Sequence, residues 1–321
     1  MNCLFRIATV LSAAFPMTAT AVHVMGNSTN STPPPDDPGF ANIGTLNGAT
    51  AIYLGEGWVL TASHVGAGTV TLGGVPYTQL TSPVQLTNQG TVGMTPNTDM
   101  ILFRITGTPP LPSLSIRASS PAVGNDLVMI GNGVNQDAAR SSWDVTPVSN
   151  PPPNPPHENN DTWVSNPGGA VQTFGSPGGN TIRWGTNDAE FLGLNIDAGF
   201  GTVRSFATLF DDDLGRPNEA QAVLGDSGSA VFWKNGAVWE LAGMTHAAGN
   251  AGDQASGGSV NNYDNVPGGS TTSIVDSSTT FMADLSFYRT QILTIIPEPG
   301  SAVLSALGLL GVLRRRRPHG G

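Results

Sequence analysis

Three short motifs supply a histidine, an aspartate and a serine that together can carry out acyl transfer. His64 ends the sequence WVLTASH, Asp99 directly precedes the apolar sequence MILFRI, and Ser227 is the first serine of LGDSGSA. A serine hydroxyl is a weak nucleophile at neutral pH, so an imidazole must accept its proton during attack. The imidazole needs a carboxylate on its other ring nitrogen, which fixes the tautomer and stabilises the imidazolium. These residue types indicate Ser227 as nucleophile, His64 as general base and Asp99 as the residue that orients the base.

The glycines around the serine point to the same chemistry. Gly225 and Gly228 allow a sharp backbone bend that exposes amide hydrogens. The amides of Gly225 and Ser227 are therefore candidates for an oxyanion hole, where each donor contributes about 2.7–4 kcal/mol to a tetrahedral transition state.

Each motif alone also fits an ordinary structural role. A GDSG segment is often a surface turn, a histidine can cap a strand end, and an aspartate beside an apolar run is commonly a turn residue. The three occur together, however, in the order His, Asp, Ser, with separations of 35 and 128 residues and an apolar run beside each. This conjunction favours catalysis.

The composition predicts the elements that must position these residues. With 41 Gly and 25 Pro, the chain is too rich in turn residues for a helical bundle, which favours an all-β fold. Short apolar runs bounded by turn residues are predicted as strands: 51–54, 58–61, 69–72, 75–77, 100–105, 127–130, 181–184, 191–196, 203–210, 230–233, 237–241 and 244–247. Apolar residues at three- and four-residue steps predict one amphipathic helix over 281–296. Two stretches, Pro147–Pro156 and Asn250–Gly269, are predicted as loops.

Residues 1–21 are predicted to be a secretory signal peptide. Arg6 is followed by an apolar run that is too short for a stable membrane span, and Ala19-Thr20-Ala21 offers a small-x-small cleavage site. The Ser-, Thr- and Pro-rich residues 22–39 are predicted to form a linker. A buried N-terminal helix is the alternative.

Charge and cysteine content exclude several functions. The chain has a net charge of −10, and residues 22–296 keep 8 positive and 22 negative side chains, about −14, which argues against a nucleic-acid partner. Cys3, the single cysteine, lies in the predicted signal peptide, so no disulfide is expected. No phosphate loop or zinc motif occurs, and we expect no cofactor and no metal. Asp211–Asp213 could hold calcium, but a solvated loop is the simpler interpretation.

The other end of the chain carries a second kind of signal. Pro297-Glu298-Pro299 is followed by the apolar residues 300–313 and then by Arg314–Arg317. This order resembles the PEP-CTERM sorting signal of Gram-negative bacteria. The resemblance implies export, transient insertion of a short helix from the segment 297–317 into the inner membrane, and processing by an exosortase-type peptidase. A permanent tail anchor is the alternative.

The three catalytic motifs resemble those of trypsin/chymotrypsin-like serine endopeptidases, over roughly residues 40–293. The resemblance implies two six-stranded antiparallel β-barrels, a boundary near 115–125, a C-terminal helix, and hydrolysis of protein or peptide substrates through an acyl-enzyme. Family members that are activated from a zymogen pair the aspartate before the serine with a new N-terminus. No such terminus is visible here, which leaves the partner of Asp226 open.

Family position also suggests where a specificity pocket would lie. Gln221, six residues before the serine, would occupy the base of the pocket, where no aspartate supports a preference for Lys or Arg. His246 would lie on the pocket wall and could favour acidic side chains, although ordinary packing is the simpler interpretation. A hypothesis of a different class is a surface or matrix adhesion protein on a protease-like scaffold without turnover.

Overall fold

The computed structural model describes residues 22–24, 29–135, 140–146, 162–167, 171–174, 179–210, 217–248, 261–263 and 279–296. In these ranges the chain forms two seven-stranded antiparallel sheets, two smaller sheets and one α-helix, which confirms the predicted all-β class with a terminal helix. The family resemblance implied two six-stranded barrels, and each large sheet has seven strands.

The strands are numbered in chain order. They are β1 (His23–Val24), β2 (Ile43–Leu46), β3 (Ala49–Gly55), β4 (Trp58–Ala62), β5 (Val70–Leu72), β6 (Val75–Tyr77), β7 (Val84–Thr87), β8 (Asn97–Arg104), β9 (Asp126–Gly131), β10 (Arg140–Thr146), β11 (Thr162–Ser165), β12 (Val171–Phe174), β13 (Arg183–Asp188), β14 (Phe191–Asp197), β15 (Thr202–Thr208), β16 (Ala220–Gln221), β17 (Ala230–Asn235), β18 (Val238–Ala248), β19 (Asn261–Tyr263) and β20 (Thr280–Asp284). Helix α1 spans Leu285–Ile295, and a single 3-10 turn spans Phe40–Asn42.

The first large sheet has the strand order β6-β5-β2-β3-β4-β8-β7. Its central strands are almost continuously apolar because both of their faces are covered; every residue of β3 is buried. The pairing of β4 with β8 places Ala62 opposite Met100. The chain that leaves β4 toward His64 therefore runs beside Asp99 in β8.

The second large sheet has the order β13-β9-β17-β18-β20-β15-β14. One buried apolar cluster contains side chains from both large sheets and from the helix, among them Leu60, Leu102, Ile130, Phe232 and Tyr288. The two sheets therefore share a core. The loop between β16 and β17, which carries Ser227, lies where the sheets meet.

The start of the helix differs from the prediction. The spacing of Met282, Leu285 and Tyr288 suggested that the helix begins at residue 281, but Thr280–Asp284 forms strand β20 between β15 and β18. Asp284 then caps the helix, because its side chain accepts a hydrogen bond from the backbone amide of Ser286. Because β20 runs directly into α1, the apolar residues of the strand and of the helix follow one another without a turn. Their combined spacing was therefore interpreted as that of one longer helix.

The segment predicted as a linker packs on the second half of the chain in its described parts. His23 and Val24 pair with Gln221 and Ala220, and Val22 is buried. The carbonyl of Val22 accepts a hydrogen bond from the Arg183 guanidinium at 2.8 Å. Valines at the start of this polar stretch provide enough apolar surface to hold it against the body.

Several predictions fall outside the described residues. These are the signal peptide with Cys3, the loop Pro147–Pro156, the acidic run Asp211–Asp213, and the apolar tail with its arginines. Of the predicted loop Asn250–Gly269, residues 261–263 are described and form β19, which pairs with β12. Among the helices that the structure describes, none is long and apolar enough to cross a membrane.

Candidate active site

His64, Asp99 and Ser227 form one continuous chain of hydrogen bonds. The Nδ1 atom of His64 lies 2.6 Å from Asp99 Oδ2, and its Nε2 atom lies 2.8 Å from Ser227 Oγ. A carboxylate only accepts, so Nδ1 carries the proton and donates it. In the neutral imidazole Nε2 then holds a lone pair, and the serine hydroxyl donates to it. An arrangement of this kind can remove the serine proton when the oxygen attacks a carbonyl carbon.

Backbone contacts hold the histidine against the aspartate. The Asp99 carboxylate also accepts a hydrogen bond from the backbone amide of His64 at 2.9 Å, and the amide of Ser63 donates to the Asp99 carbonyl at 3.1 Å. The side chain of Asp99 is 1% exposed, whereas that of His64 is 18% exposed. A buried carboxylate thus orients an imidazole that is still partly exposed to solvent.

Two glycines in the serine loop have backbones that other residues rarely adopt. Gly225 has φ +94° and Gly228 has φ +87°. A Cβ at Gly225 would lie 2.6 Å from Asn180 Nδ2, and a Cβ at Gly228 would collide with the carbonyl oxygen of Thr50. Within the described ranges, the amides of Gly225 and Ser227 donate to no protein acceptor. Both predicted oxyanion donors are therefore available to a ligand there.

Thr50, in β3 of the first sheet, fastens the serine loop. Its backbone amide donates to the Ser227 carbonyl at 3.1 Å, and its hydroxyl donates to the Gly225 carbonyl at 2.9 Å. The hydroxyl also accepts a hydrogen bond from the buried backbone amide of Asn132 at 2.8 Å. One side chain thus holds the serine loop at Gly225, whose own amide is one of the two predicted oxyanion donors. The motifs around the serine gave no indication of this residue.

Asp226, whose partner the sequence left open, is bound by its own loop. Its carboxylate accepts hydrogen bonds from the Val223 amide at 2.9 Å and from the Ser229 hydroxyl at 3.2 Å. Burial raises the pKa of Asp226 to about 7, against the opposing influence of these hydrogen bonds and of the Arg183 charge. The side chain faces the interior and braces the turn that presents Ser227.

The two predicted pocket residues lie in the interior. Gln221 pairs with His23 between β16 and β1 and has no exposed surface. His246 occupies a bulge of β18, is 3% exposed, and contacts the Ser205 hydroxyl through Nε2 at 2.9 Å. Burial lowers the pKa of His246 to about 4. Neither side chain offers accessible surface for a substrate, so the positions predicted from the family pattern are filled by packing.

Phe200 is a residue at the site that the sequence reasoning missed. It lies at the tip of the hairpin formed by β14 and β15, and its ring stacks on the imidazole of His64 with centroids 4.6 Å apart. The available signal was an aromatic residue between two glycines, Gly199 and Gly201, at a hairpin tip. No spacing rule connects that tip to a histidine 136 residues earlier.

The described residues contain no group of three or more His, Cys, Asp or Glu side chains that could hold a metal ion. The run considered for calcium, Asp211–Asp213, lies outside them.

Comparison with known proteins identifies the C-terminal segment. Residues 296–317 match the PEP-CTERM protein-sorting motif. The chain carries a PEP-CTERM signal. This motif indicates export and cell-surface sorting in Gram-negative bacteria, and it implies processing by an exosortase. A search of curated proteins finds no match to the chain.

Solved structures with a similar arrangement include bacterial and mammalian proteins. An inactive serine-to-alanine mutant of Rv3671c from Mycobacterium tuberculosis H37Rv has 15% identity and a TM-score of 0.39, covering 84% of this chain and 97% of that chain. The inactive form of the Rv3671c protease has 16% identity and a TM-score of 0.39, covering 80% and 90%. Neuropsin, a serine protease of mouse brain, has 14% identity and a TM-score of 0.40, covering 77% and 88%.

Proposed function

We propose that this protein is an exported serine endopeptidase that hydrolyses peptide bonds through an acyl-enzyme intermediate. The observation that carries the proposal is the pair of contacts on one imidazole, 2.6 Å from Nδ1 to Asp99 and 2.8 Å from Nε2 to Ser227. The residue order, the buried aspartate and the free amides of the serine loop support the same assignment.

In the proposed reaction, Ser227 Oγ attacks the peptide carbonyl carbon while His64 Nε2 takes the hydroxyl proton. The amides of Gly225 and Ser227 donate to the oxyanion of the tetrahedral intermediate. His64 then gives its proton to the leaving nitrogen, the C–N bond breaks, and an ester to Ser227 remains. Water repeats the sequence on the ester, with His64 again as base, and releases the acid and the free serine. Asp99 stabilises the imidazolium in both halves.

Export and processing complete the proposed function. We assign residues 1–21 to a signal peptide, and we propose that the apolar segment after Pro299 enters the inner membrane transiently while four arginines keep the tail inside. Pro297 and Pro299 lack the backbone amide hydrogen that a helix interior requires, so we propose this point of the chain as the site of processing. The mature protein in its native host then ends before about Pro299. Intact-mass measurement of that material tests the assignment, and a C-terminus at Gly321 would contradict it.

A fluorophosphonate probe tests the catalytic proposal. Such a probe phosphonylates a serine only when a neighbouring base activates the hydroxyl. The wild-type protein should be labelled at Ser227, and Ser227→Ala should not be labelled. Ser229→Ala is the matched control and should be labelled like the wild type, because the Ser229 hydroxyl lies in the same loop but donates its hydrogen bond to Asp226. Wild-type protein that stays unlabelled while folded would support the adhesion hypothesis instead.

A further inference from the structure

The hairpin between β14 and β15 brings an apolar side chain from the second sheet onto the histidine of the first. Phe200 remains 53% exposed although it stacks on His64, and the two ring planes are inclined by 27°. One face of the imidazole is covered, while the rest of the phenyl ring faces solvent next to the reacting atoms.

Contacts from both halves of the chain hold this tip in place. The Asp197 carboxylate accepts hydrogen bonds from the Gly199 amide at 2.8 Å and the Gly201 amide at 3.3 Å. Gly201 has φ +106°, and a Cβ there would lie 2.6 Å from the Asn97 carbonyl oxygen. The tip therefore packs directly on the start of β8, two residues before Asp99.

A second set of bonds ties the base of the tip to the loop before β8. The amide of Thr202 donates to the Thr95 hydroxyl at 2.7 Å, and the amide of Thr95 donates to the Thr202 hydroxyl at 3.3 Å. The side-chain amide of Asn88 donates to the Thr202 carbonyl at 2.8 Å. A buried tyrosine, Tyr288, donates in turn to Asn88 at 2.8 Å. Phe200 is thus held in position by both halves of the chain.

The position of the ring has a consequence for the substrate. A peptide attacked by Ser227 must pass the His64 ring, and the residues of an extended peptide follow one another at about 3.3 Å. The side chain next to the attacked residue is therefore within reach of the exposed face of Phe200. An apolar side chain gains there by leaving water, whereas a charged or small polar side chain does not.

We propose that Phe200 is a specificity-determining residue, whose exposed face receives an apolar side chain flanking the scissile bond. This inference rests on the proposed peptidase function and assigns it a substrate class. Leu224, which is 72% exposed and directly precedes Gly225, adds a second apolar side chain on the serine loop.

The test uses two sets of peptides that share the scissile residue and differ at one flanking position, Leu or Ser. The wild-type protein should cleave the Leu peptide at least about 10-fold faster in kcat/KM at one such position. Phe200→Ala should reduce this preference to within about 3-fold, mainly by lowering kcat/KM for the Leu peptide. Phe200→Leu should keep most of it. Phe287→Ala, which removes an exposed phenylalanine from the helix, is the matched control and should leave the preference unchanged.

The rate of fluorophosphonate labelling separates the inference from the function on which it rests. A small probe without flanking side chains should label wild-type protein and Phe200→Ala at similar rates. An unchanged Leu preference in Phe200→Ala, or an equal slowing of labelling and of the cleavage of both peptides, would overturn the specificity role while the peptidase assignment stands. Failure of the folded wild-type protein to label would overturn both.

Discussion

In the first sheet, His64 lies two residues after the end of β4 and Asp99 lies near the start of β8, two strands that pair residue by residue. In the second half of the chain, Ser227 and Phe200 lie on connections whose positions depend on bonds from the other sheet. The proposed general base and its carboxylate partner are therefore placed by one local ladder, whereas the proposed nucleophile and Phe200 are placed by long-range contacts. The positions of His64 and Asp99 should therefore be insensitive to substitutions in the second half of the chain. The positions of Ser227 and Phe200 should change when a single distant side chain is replaced.

The largest expected effect comes from the locally built pair. Asp99→Asn keeps the shape of the side chain but favours the wrong tautomer of His64, so turnover should fall about 10⁴-fold at neutral pH. Circular dichroism and thermal unfolding should show a folded protein, and peptide hydrolysis measures the loss. Full activity in Asp99→Asn would mean that another carboxylate orients the histidine.

A smaller loss should follow when the long-range support of Ser227, the proposed nucleophile, is removed. Thr50→Val deletes the hydroxyl that holds the Gly225 carbonyl, so the serine loop should shift and kcat/KM should fall by about 10-fold to 100-fold as the oxyanion donors on that loop are displaced. The variant also leaves the buried amide of Asn132 unsatisfied, at a cost of about 1–3 kcal/mol in the free energy of unfolding.

Thr50→Ser is the matched control for this prediction. It keeps the hydroxyl and removes only a methyl group, and it should restore most of the lost kcat/KM. If Thr50→Val and Thr50→Ser lose activity equally, packing at this position matters and the bond to Gly225 does not.

The smallest expected effect concerns stability and comes from the interior of the second half. Burial lowers the pKa of His246 from its ordinary value of 6.5 to about 4 in the folded protein. Its neutral form therefore stabilises the fold above pH 6.5, and this contribution is lost as the pH falls from 6.5 toward 4, by at most about 1.4 kcal/mol per pH unit. His246→Gln keeps a hydrogen-bond donor for Ser205 and should make the free energy of unfolding less dependent on pH between 6.5 and 4.

Asp226 changes the free energy of unfolding with pH in the opposite direction, so the test compares the variant with the wild type at each pH. Its pKa is raised from 3.8 to about 7, which means that its contribution is fully present below pH 3.8 and is lost as the pH rises toward 7. Urea unfolding of wild-type protein and His246→Gln at pH 7, 6, 5 and 4 cancels this shared contribution. If the free energies of unfolding of the two proteins differ by the same amount at every pH, His246 does not change its protonation on unfolding.

The fold was predictable where apolar runs are local and bounded by turns. The hairpin of β3 and β4 and strand β8 were identified from such runs. β2 was not identified, because its four residues include Gly44 and show no apolar alternation. The four-stranded sheet was also missed, since β12 and β19 are far apart in sequence and only their pairing makes them strands.

The site, like the fold, was predictable only in part. The order of the histidine, aspartate and serine motifs identified the three residues of the hydrogen-bonded chain, because that chemistry requires fixed residue types. Thr50 and Phe200 were not identified, because a threonine in a buried strand and a phenylalanine between glycines have no distinctive local pattern. Their roles exist only once the two sheets meet.

The most direct measurement of the central claim is the capture of the acyl-enzyme. Wild-type protein mixed with an activated ester and quenched in acid should show one added acyl group by intact mass, and peptide mapping should place that group on Ser227. Ser227→Ala should show none under the same conditions, although it unfolds at the same temperature as the wild type. An acyl group on another residue, or equal acylation of Ser227→Ala, would contradict the account.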